Sequence, residues 1–179
     1  TAAQTITGSG KVDTLFGSTK SDTINAGAGA DSITSGAGGD TIDGGTGTDT
    51  YITTAADTGA AINGAGTGTS TGIVINLGTT AVTDAAVLGQ VAQNISGSLA
   101  SVGAGQAAYV FNGSLSSNSA LVDTISNVEN ITVADGINYV VGSTGINVIN
   151  GGSGTDYISG GEGAGTIDPG ADGDIVSLT

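Results

Sequence analysis

The chain has 179 residues and a formal net charge of −14, with 34 glycines, one proline, 3% aromatic residues and no cysteine, methionine, tryptophan or histidine. This acidity argues against nucleic acids and anionic membranes as partners, and no apolar run approaches the ~18 residues that a membrane-spanning helix needs. Without imidazole or thiolate side chains, the chain is also a poor ligand set for transition metals.

A nine-residue repeat organises the first part of the chain. Residues 26–34, 35–43 and 44–52 each begin with small residues, carry Asp at the sixth position and a large apolar residue at the eighth. Two further units begin at Gly8 and Gly17. The sixth residues are Asp13, Asp22, Asp31, Asp40 and Asp49, and the eighth residues are Leu15, Ile24, Ile33, Ile42 and Tyr51. A short period of this kind indicates stacked coils.

Each unit is predicted to form a glycine-rich turn followed by a short strand whose eighth side chain points inwards. Glycine suits such turns because they require positive φ angles and close backbone approach. Two units complete one coil, so residues 18 apart are expected to stack at the same edge. The predicted fold is therefore all-β, a parallel β-roll or β-solenoid.

The repeat is interrupted in the middle of the chain, which divides it into N-terminal repeats (1–52), a mixed central segment (53–132) and C-terminal repeats (133–179). The central segment is expected to pack against the roll or to form an insertion across it. Its apolar runs predict strands at 72–77, 107–111 and 120–125. An amphipathic pattern behind a Thr or Asp cap predicts one short helix over 83–95.

The C-terminal units keep the apolar row but lose part of the acidic row. Their eighth residues are Val140, Ile149, Ile158, Ile167 and Val176, whereas their sixth residues are Asn138, Asn147, Asp156, Gly165 and Asp174. The coil is therefore expected to continue where some metal sites do not. Asp172 stands at a position that glycine fills in other units, and it offers an additional oxygen ligand.

The acidic row predicts calcium sites, because Ca²⁺ prefers six to eight oxygen ligands from carboxylates and backbone carbonyls. Stacking places Asp13 with Asp31, Asp22 with Asp40, Asp31 with Asp49, and Asp156 with Asp174. The candidate ligands of several calcium ions are Asp13, Asp22, Asp31, Asp40, Asp49, Asn147, Asp156, Asp172 and Asp174. Folding and metal binding are then expected to be one event. The alternative is a solvated face of Asp-rich turns.

Two units, GGTGTDTYI at 44–52 and GGSGTDYIS at 151–159, resemble the G-G-x-G-x-D-x-U-x nonapeptide of the RTX family of secreted bacterial proteins. The resemblance implies a parallel β-roll with calcium between successive turns. It also implies type I secretion, folding outside the cell and a place at the bacterial cell surface. The central segment is similar to segments of calcium-dependent surface-layer proteins of this family.

Lys11 and Lys20 depart from the family pattern, because both occupy the fourth position, where the family has glycine. A lysine there is expected to strain the turn and to repel a cation, which weakens the sites that use these two turns. A further hypothesis is that both lysines cap the N-terminal end and dock against the acidic C-terminal coils of a neighbouring subunit.

No catalytic residue is identified, because the chain lacks His and Cys, its Asp residues are committed to turns, and Glu129 and Glu162 are isolated in the sequence. The chain is therefore expected not to be an enzyme. The first hypothesis is a secreted structural protein that self-assembles into a surface layer, filament or matrix, as a homo-oligomer or polymer with cell-surface polysaccharide as a possible partner. The alternative is a calcium-binding export and folding module of a larger enzyme, toxin or adhesin.

Overall fold

The structure is a computed structural model, and it describes residues 2–54, 70–82, 101–111, 114–115, 122–163 and 165–178. These residues form 18 strands and no helix. The helix predicted over 83–95 lies outside the described residues. Within the described ranges, nothing forms a helix long and apolar enough to cross a lipid bilayer.

The strands are short, as a nine-residue repeat requires. In chain order they are β1 Thr5–Thr7, β2 Thr14–Phe16, β3 Thr23–Asn25, β4 Ala28–Gly29, β5 Ser32–Thr34, β6 Thr41–Asp43, β7 Thr46–Gly47, β8 Thr50–Ile52, β9 Ser70–Asn76, β10 Gln106–Phe111, β11 Ser114–Leu115, β12 Val122–Ser126, β13 Asn130–Thr132, β14 Tyr139–Val141, β15 Val148–Asn150, β16 Tyr157–Ser159, β17 Thr166–Asp168 and β18 Ile175–Ser177.

Successive units alternate between two sheets, which confirms the parallel β-solenoid. Sheet A has the order β1-β3-β6-β12-β10-β9-β14-β16-β18, with β11 paired to β10, and sheet B has the order β17-β15-β13-β8-β5-β2. Regular neighbours are parallel and 18 residues apart, as in Ile6 opposite Ile24 and Leu15 opposite Ile33. In addition, β4 pairs with β7 between two stacked turns.

The core between the sheets is the row of eighth residues. These side chains are at most 2% exposed at Ile24, Ile33, Ile42, Tyr51, Val140, Ile149 and Ile158. The inward orientation predicted for this position is thereby confirmed for the interior coils. The row is less well covered in the last coil, where Val176 is 40% exposed.

The central segment adds β9, β10, β11 and β12 to sheet A and β13 to sheet B. Its strand β12 runs parallel to β6, β10 is antiparallel to both β12 and β9, and β9 runs parallel to β14. In sheet B, β13 pairs with β8 on one side and with β15 on the other. The N-terminal and C-terminal repeats are therefore stacked into one roll, and β9, β10 and β12 contain most of the strand residues predicted for this segment.

Candidate metal centre

The acidic row forms a ladder in which a carboxylate oxygen of one turn is hydrogen-bonded to the backbone of the neighbouring turn. Oδ1 accepts a hydrogen bond from the backbone N–H 18 residues earlier, and all four predicted pairs are stacked in this way. The distances are 2.8 Å for Asp13 N to Asp31, 2.6 Å for Asp22 N to Asp40, 2.8 Å for Asp31 N to Asp49 and 2.9 Å for Asp156 N to Asp174.

Two acidic residues of the central segment continue this ladder. The backbone N–H of Asp40 donates to Asp123 Oδ1 at 2.8 Å, and that of Asp49 donates to Glu129 Oε2 at 2.9 Å. The interpretation of Glu129 as isolated is therefore wrong. A long stretch of intervening sequence without the nine-residue spacing separates Glu129 from Asp49, so no local signal indicates its place.

The second carboxylate oxygen remains without a hydrogen bond in the best-buried turns. Asp31, Asp49 and Asp156 are at most 1% exposed, and Oδ2 of each is buried and accepts no hydrogen bond. A buried charge with no partner is strongly destabilising, so such an oxygen in a folded chain indicates a position for a positively charged ligand.

The raised pKa values of Asp49 and Asp156 show that burial disfavours their ionised form. Burial raises the pKa of Asp156 to about 6, opposed by the hydrogen bonds from Asn138 and reinforced by the charges of Asp174 and Asp135. Burial also raises the pKa of Asp49, where the charges of Asp31 and Glu129 act in the same direction. Desolvation and like charges both disfavour the ionised form, and a bound cation removes that penalty.

The turns that carry these carboxylates share one backbone conformation. The second and fourth residues have positive φ in five turns, which we term the Gly turns: 26–31, 35–40, 44–49, 151–156 and 169–174. A Cβ on Gly47 would lie 1.6 Å from the carbonyl oxygen of Gly29 in the neighbouring turn. Glycine is required there because the stacked backbones approach so closely.

Three other turns, which we term the Ser turns, have serine at the second position: 8–13, 17–22 and 142–147. Their second and fourth residues do not have positive φ, so Lys11 and Lys20 are not forced into a left-handed conformation and the expected strain is absent. The sixth residues Asp13, Asp22 and Asn147, all predicted ligands, accept hydrogen bonds from the serine of their own turn.

The remaining predicted ligands lie in the last coil. Asp174 is half-buried and stacked against Asp156, whereas Asp172 is exposed, has a φ of 92° and accepts a hydrogen bond from Gly154 N at 3.2 Å. At Asn147, Gly165 offers no carboxylate 18 residues later, and Asn147 Nδ2 donates to the backbone carbonyl of Glu129, 18 residues earlier. The structure thus groups the acidic residues of the Gly turns and sets Asn147 apart.

The chemistry of this donor set fits calcium. Among the described residues, no three acidic side chains converge on one point, so side chains alone do not complete a site. Stacked Gly turns instead combine two carboxylates with backbone carbonyls, which is the mixed oxygen set that Ca²⁺ accepts. When bound, Ca²⁺ supplies the positive charge that balances the buried pair, and Asp31 with Asp49 and Asp156 with Asp174 would hold it.

Comparison with known proteins identifies the repeats. The family described as "RTX calcium-binding nonapeptide repeat (4 copies)" matches residues 7–42, 16–51 and 133–167. A search of the curated proteins gives no match. Repeats of this family bind calcium and are typical of proteins that leave the cell by type I secretion. The two regular sections of the chain, residues 7–51 and 133–167, therefore consist of RTX calcium-binding nonapeptide repeats.

Proposed function

We propose that the protein is a secreted structural protein whose roll is held together by calcium. The observation that carries this proposal is the unpaired, buried Oδ2 of Asp31, Asp49 and Asp156 in stacked Gly turns. Such a fold is poorly stable without a cation, because several buried carboxylates then have to be ionised without a partner or protonated.

A location outside the cell is consistent with this dependence. Calcium sites of extracellular modules commonly bind in the ~0.1–1 mM range, so a chain of this kind can remain unfolded inside the cell and fold after export. The family match supports the same route, since these repeats are typical of type I secretion substrates. The proposal includes no catalytic step.

Circular dichroism of the purified chain tests the calcium dependence. In chelator the far-ultraviolet spectrum should be that of a largely unfolded chain, and added CaCl₂ should restore the β signal cooperatively. MgCl₂ at the same ionic strength is the control, because Mg²⁺ demands a smaller octahedral site and gives up its water reluctantly. A β spectrum that persists unchanged in chelator would contradict the proposal.

We further propose that the folded chain self-assembles into a surface layer, filament or matrix. Apolar side chains are exposed on the first coils, with Val12 at 71% and Phe16 at 66%, and on the last coil, with Leu178 at 81%. Exposed apolar groups beside uncovered sheet edges favour association with another chain. The same repeats also suit the alternative, a calcium-binding folding module within a larger secreted protein.

Sedimentation and electron microscopy distinguish these two functions. A structural subunit should form ordered polymers when millimolar calcium is added, and Phe16→Ser together with Leu178→Ser should weaken the polymers while leaving the circular dichroism unchanged. A chain that folds with calcium but remains monomeric at high concentration would favour the folding module.

A further inference from the structure

The Ser turns contain a hydrogen-bond network that the Gly turns lack. In each Ser turn, the backbone N–H of serine donates to the sixth side chain, at 2.6 Å for Ser9 to Asp13 Oδ2 and 2.9 Å for Ser143 to Asn147 Oδ1. The serine hydroxyl contacts the same side chain and accepts a hydrogen bond from the fourth backbone N–H, as in Lys11 N to Ser9 Oγ at 3.2 Å.

This network uses the carboxylate oxygen that remains unpaired elsewhere. In Asp13, Oδ2 accepts from both the N–H and the Oγ of Ser9, and in Asp22 it accepts from Ser18 N. The equivalent oxygen of Asp31 and Asp49 has no donor. Hydrogen bonds to a charged carboxylate are strong, so serine satisfies locally the charge that a cation must otherwise balance.

The third Ser turn shows that the network does not depend on a negative charge. Asn147 occupies the sixth position, its Oδ1 accepts from Ser143 N, and its Nδ2 donates to Ser143 Oγ at 2.9 Å. An amide N–H₂ group cannot bind a cation, and here it faces the serine hydroxyl of the same turn. The serine network therefore also forms with an uncharged side chain at the sixth position.

We infer that serine at the second position closes a turn to calcium, so that calcium binds only where two Gly turns are stacked. Two such pairs occur in the described residues, 26–31 on 44–49 and 151–156 on 169–174. The Ser turns 8–13 and 17–22 instead form metal-independent coils at the N-terminal end of the stack. This inference rests on the proposed calcium binding and adds which turns take part.

The number of calcium ions bound to the purified full chain tests the inference, measured by elemental analysis after gel filtration in calcium and by isothermal titration. Asp13→Asn should leave the number unchanged, because Asn147 shows that asparagine sustains the same network. Asp31→Asn, the matched substitution in a Gly turn, should remove one ion. Circular dichroism in excess calcium checks that both variants remain folded.

A gain-of-site variant provides the converse test. Ser9→Gly combined with Lys11→Gly restores glycine at the second and fourth positions of a turn stacked on 26–31, so it should bind one ion more than the unmodified chain. If the unmodified chain binds no calcium, the proposed function fails. If it binds calcium but Asp13→Asn loses an ion as Asp31→Asn does, or the double variant gains none, this inference alone is overturned.

Discussion

At the scale of single residues, the structure of each turn depends on which residue occupies its second position. At the second position of a turn, glycine adopts a positive φ and leaves the Asp oxygen unpaired, whereas serine donates to that oxygen. At the sixth position, Oδ1 of Asp accepts a hydrogen bond from the backbone of the neighbouring turn, and Oδ2 faces the ligand or hydrogen-bond donor within its own turn. The carboxylate is therefore both a structural acceptor and a candidate metal ligand.

Glycine substitutions test this dependence directly. We expect Gly47→Ala to destabilise the calcium-loaded protein by about 3 kcal/mol or more, since a left-handed φ costs a non-glycine residue roughly 1–3 kcal/mol and the overlap adds to it. The overlap is severe because the new Cβ would lie 1.6 Å from Gly29 O, at a φ of 138°. Urea unfolding at fixed calcium concentration measures the loss.

Gly10→Ala is the matched control, because Gly10 lies in a turn of the same stack and a Cβ at this position would have nothing within 4 Å of it. Its free energy of unfolding should change by less than about 0.5 kcal/mol, as for most exposed substitutions. Equal losses in the two variants would contradict the close stacking of the Gly turns.

At the scale of elements, the central segment continues the ladder through Asp123 and surrounds this residue with a buried polar cluster. Asp123 on β12 is fully buried and accepts hydrogen bonds from Tyr51 Oη at 2.5 Å and Ser35 Oγ at 3.1 Å. Burial raises the pKa of Asp123 to about 7, although the hydrogen bonds from Tyr51, Asp40 and Ser35 oppose the shift. The carboxyl group of Asp123 therefore links the central segment to the N-terminal coils, although burial disfavours its ionised form.

The cluster predicts a pH-dependent stability. The pKa of Asp123 is higher in the folded chain than its ordinary value of 3.8. The stability that this carboxyl group contributes to the folded chain is therefore complete below pH 3.8 and is lost as the pH rises through about 7. Asp123→Asn removes this titration. Relative to the unmodified chain, the variant should gain about 2–3 kcal/mol of unfolding free energy between about pH 5 and about pH 8, at ~1.4 kcal/mol per pKa unit.

Urea unfolding of both proteins across this pH range, in excess calcium, measures the difference. Repeating the series at a higher calcium concentration separates titration of Asp123 from pH-dependent loss of calcium, because only the latter changes with the calcium concentration. A free-energy difference that does not vary with pH would show that Asp123 is ionised throughout the range.

Elements with the nine-residue period could be predicted from the sequence, and those without it could not. The eighth-position row and the four stacked Asp pairs follow from spacing alone, because neighbours 18 residues apart are fixed by the coil. The antiparallel β9–β10 pair and the places of Asp123 and Glu129 depend on long-range pairing across an interruption. The Ser turns can be recognised in the sequence, because three units have serine at the second position.

At the scale of the whole molecule, the roll is one stack, since sheet B runs from β8 through β13 to β15 and sheet A runs from β6 through β12, β10 and β9 to β14. In a one-dimensional stack, each coil is stabilised chiefly by its neighbours, so the strength of the junction decides whether the sections fold together. Here the junction includes backbone pairing in both sheets and the hydrogen bond from Asp49 N to Glu129.

This continuity predicts a single calcium-induced folding transition for both repeat sections. Asp31→Ala in the N-terminal section and Asp156→Ala in the C-terminal section should each move the whole transition to higher calcium, because folding of either section supports the other across the β8–β13 junction. Glu162→Ala, which removes the same charge from an exposed site, should leave the midpoint nearly unchanged. During calcium titration, circular dichroism reports the folding of the two sections together, and hydrogen exchange reports each section separately. Two resolved transitions, each moved only by the substitution in its own section, would show that the junction does not couple them.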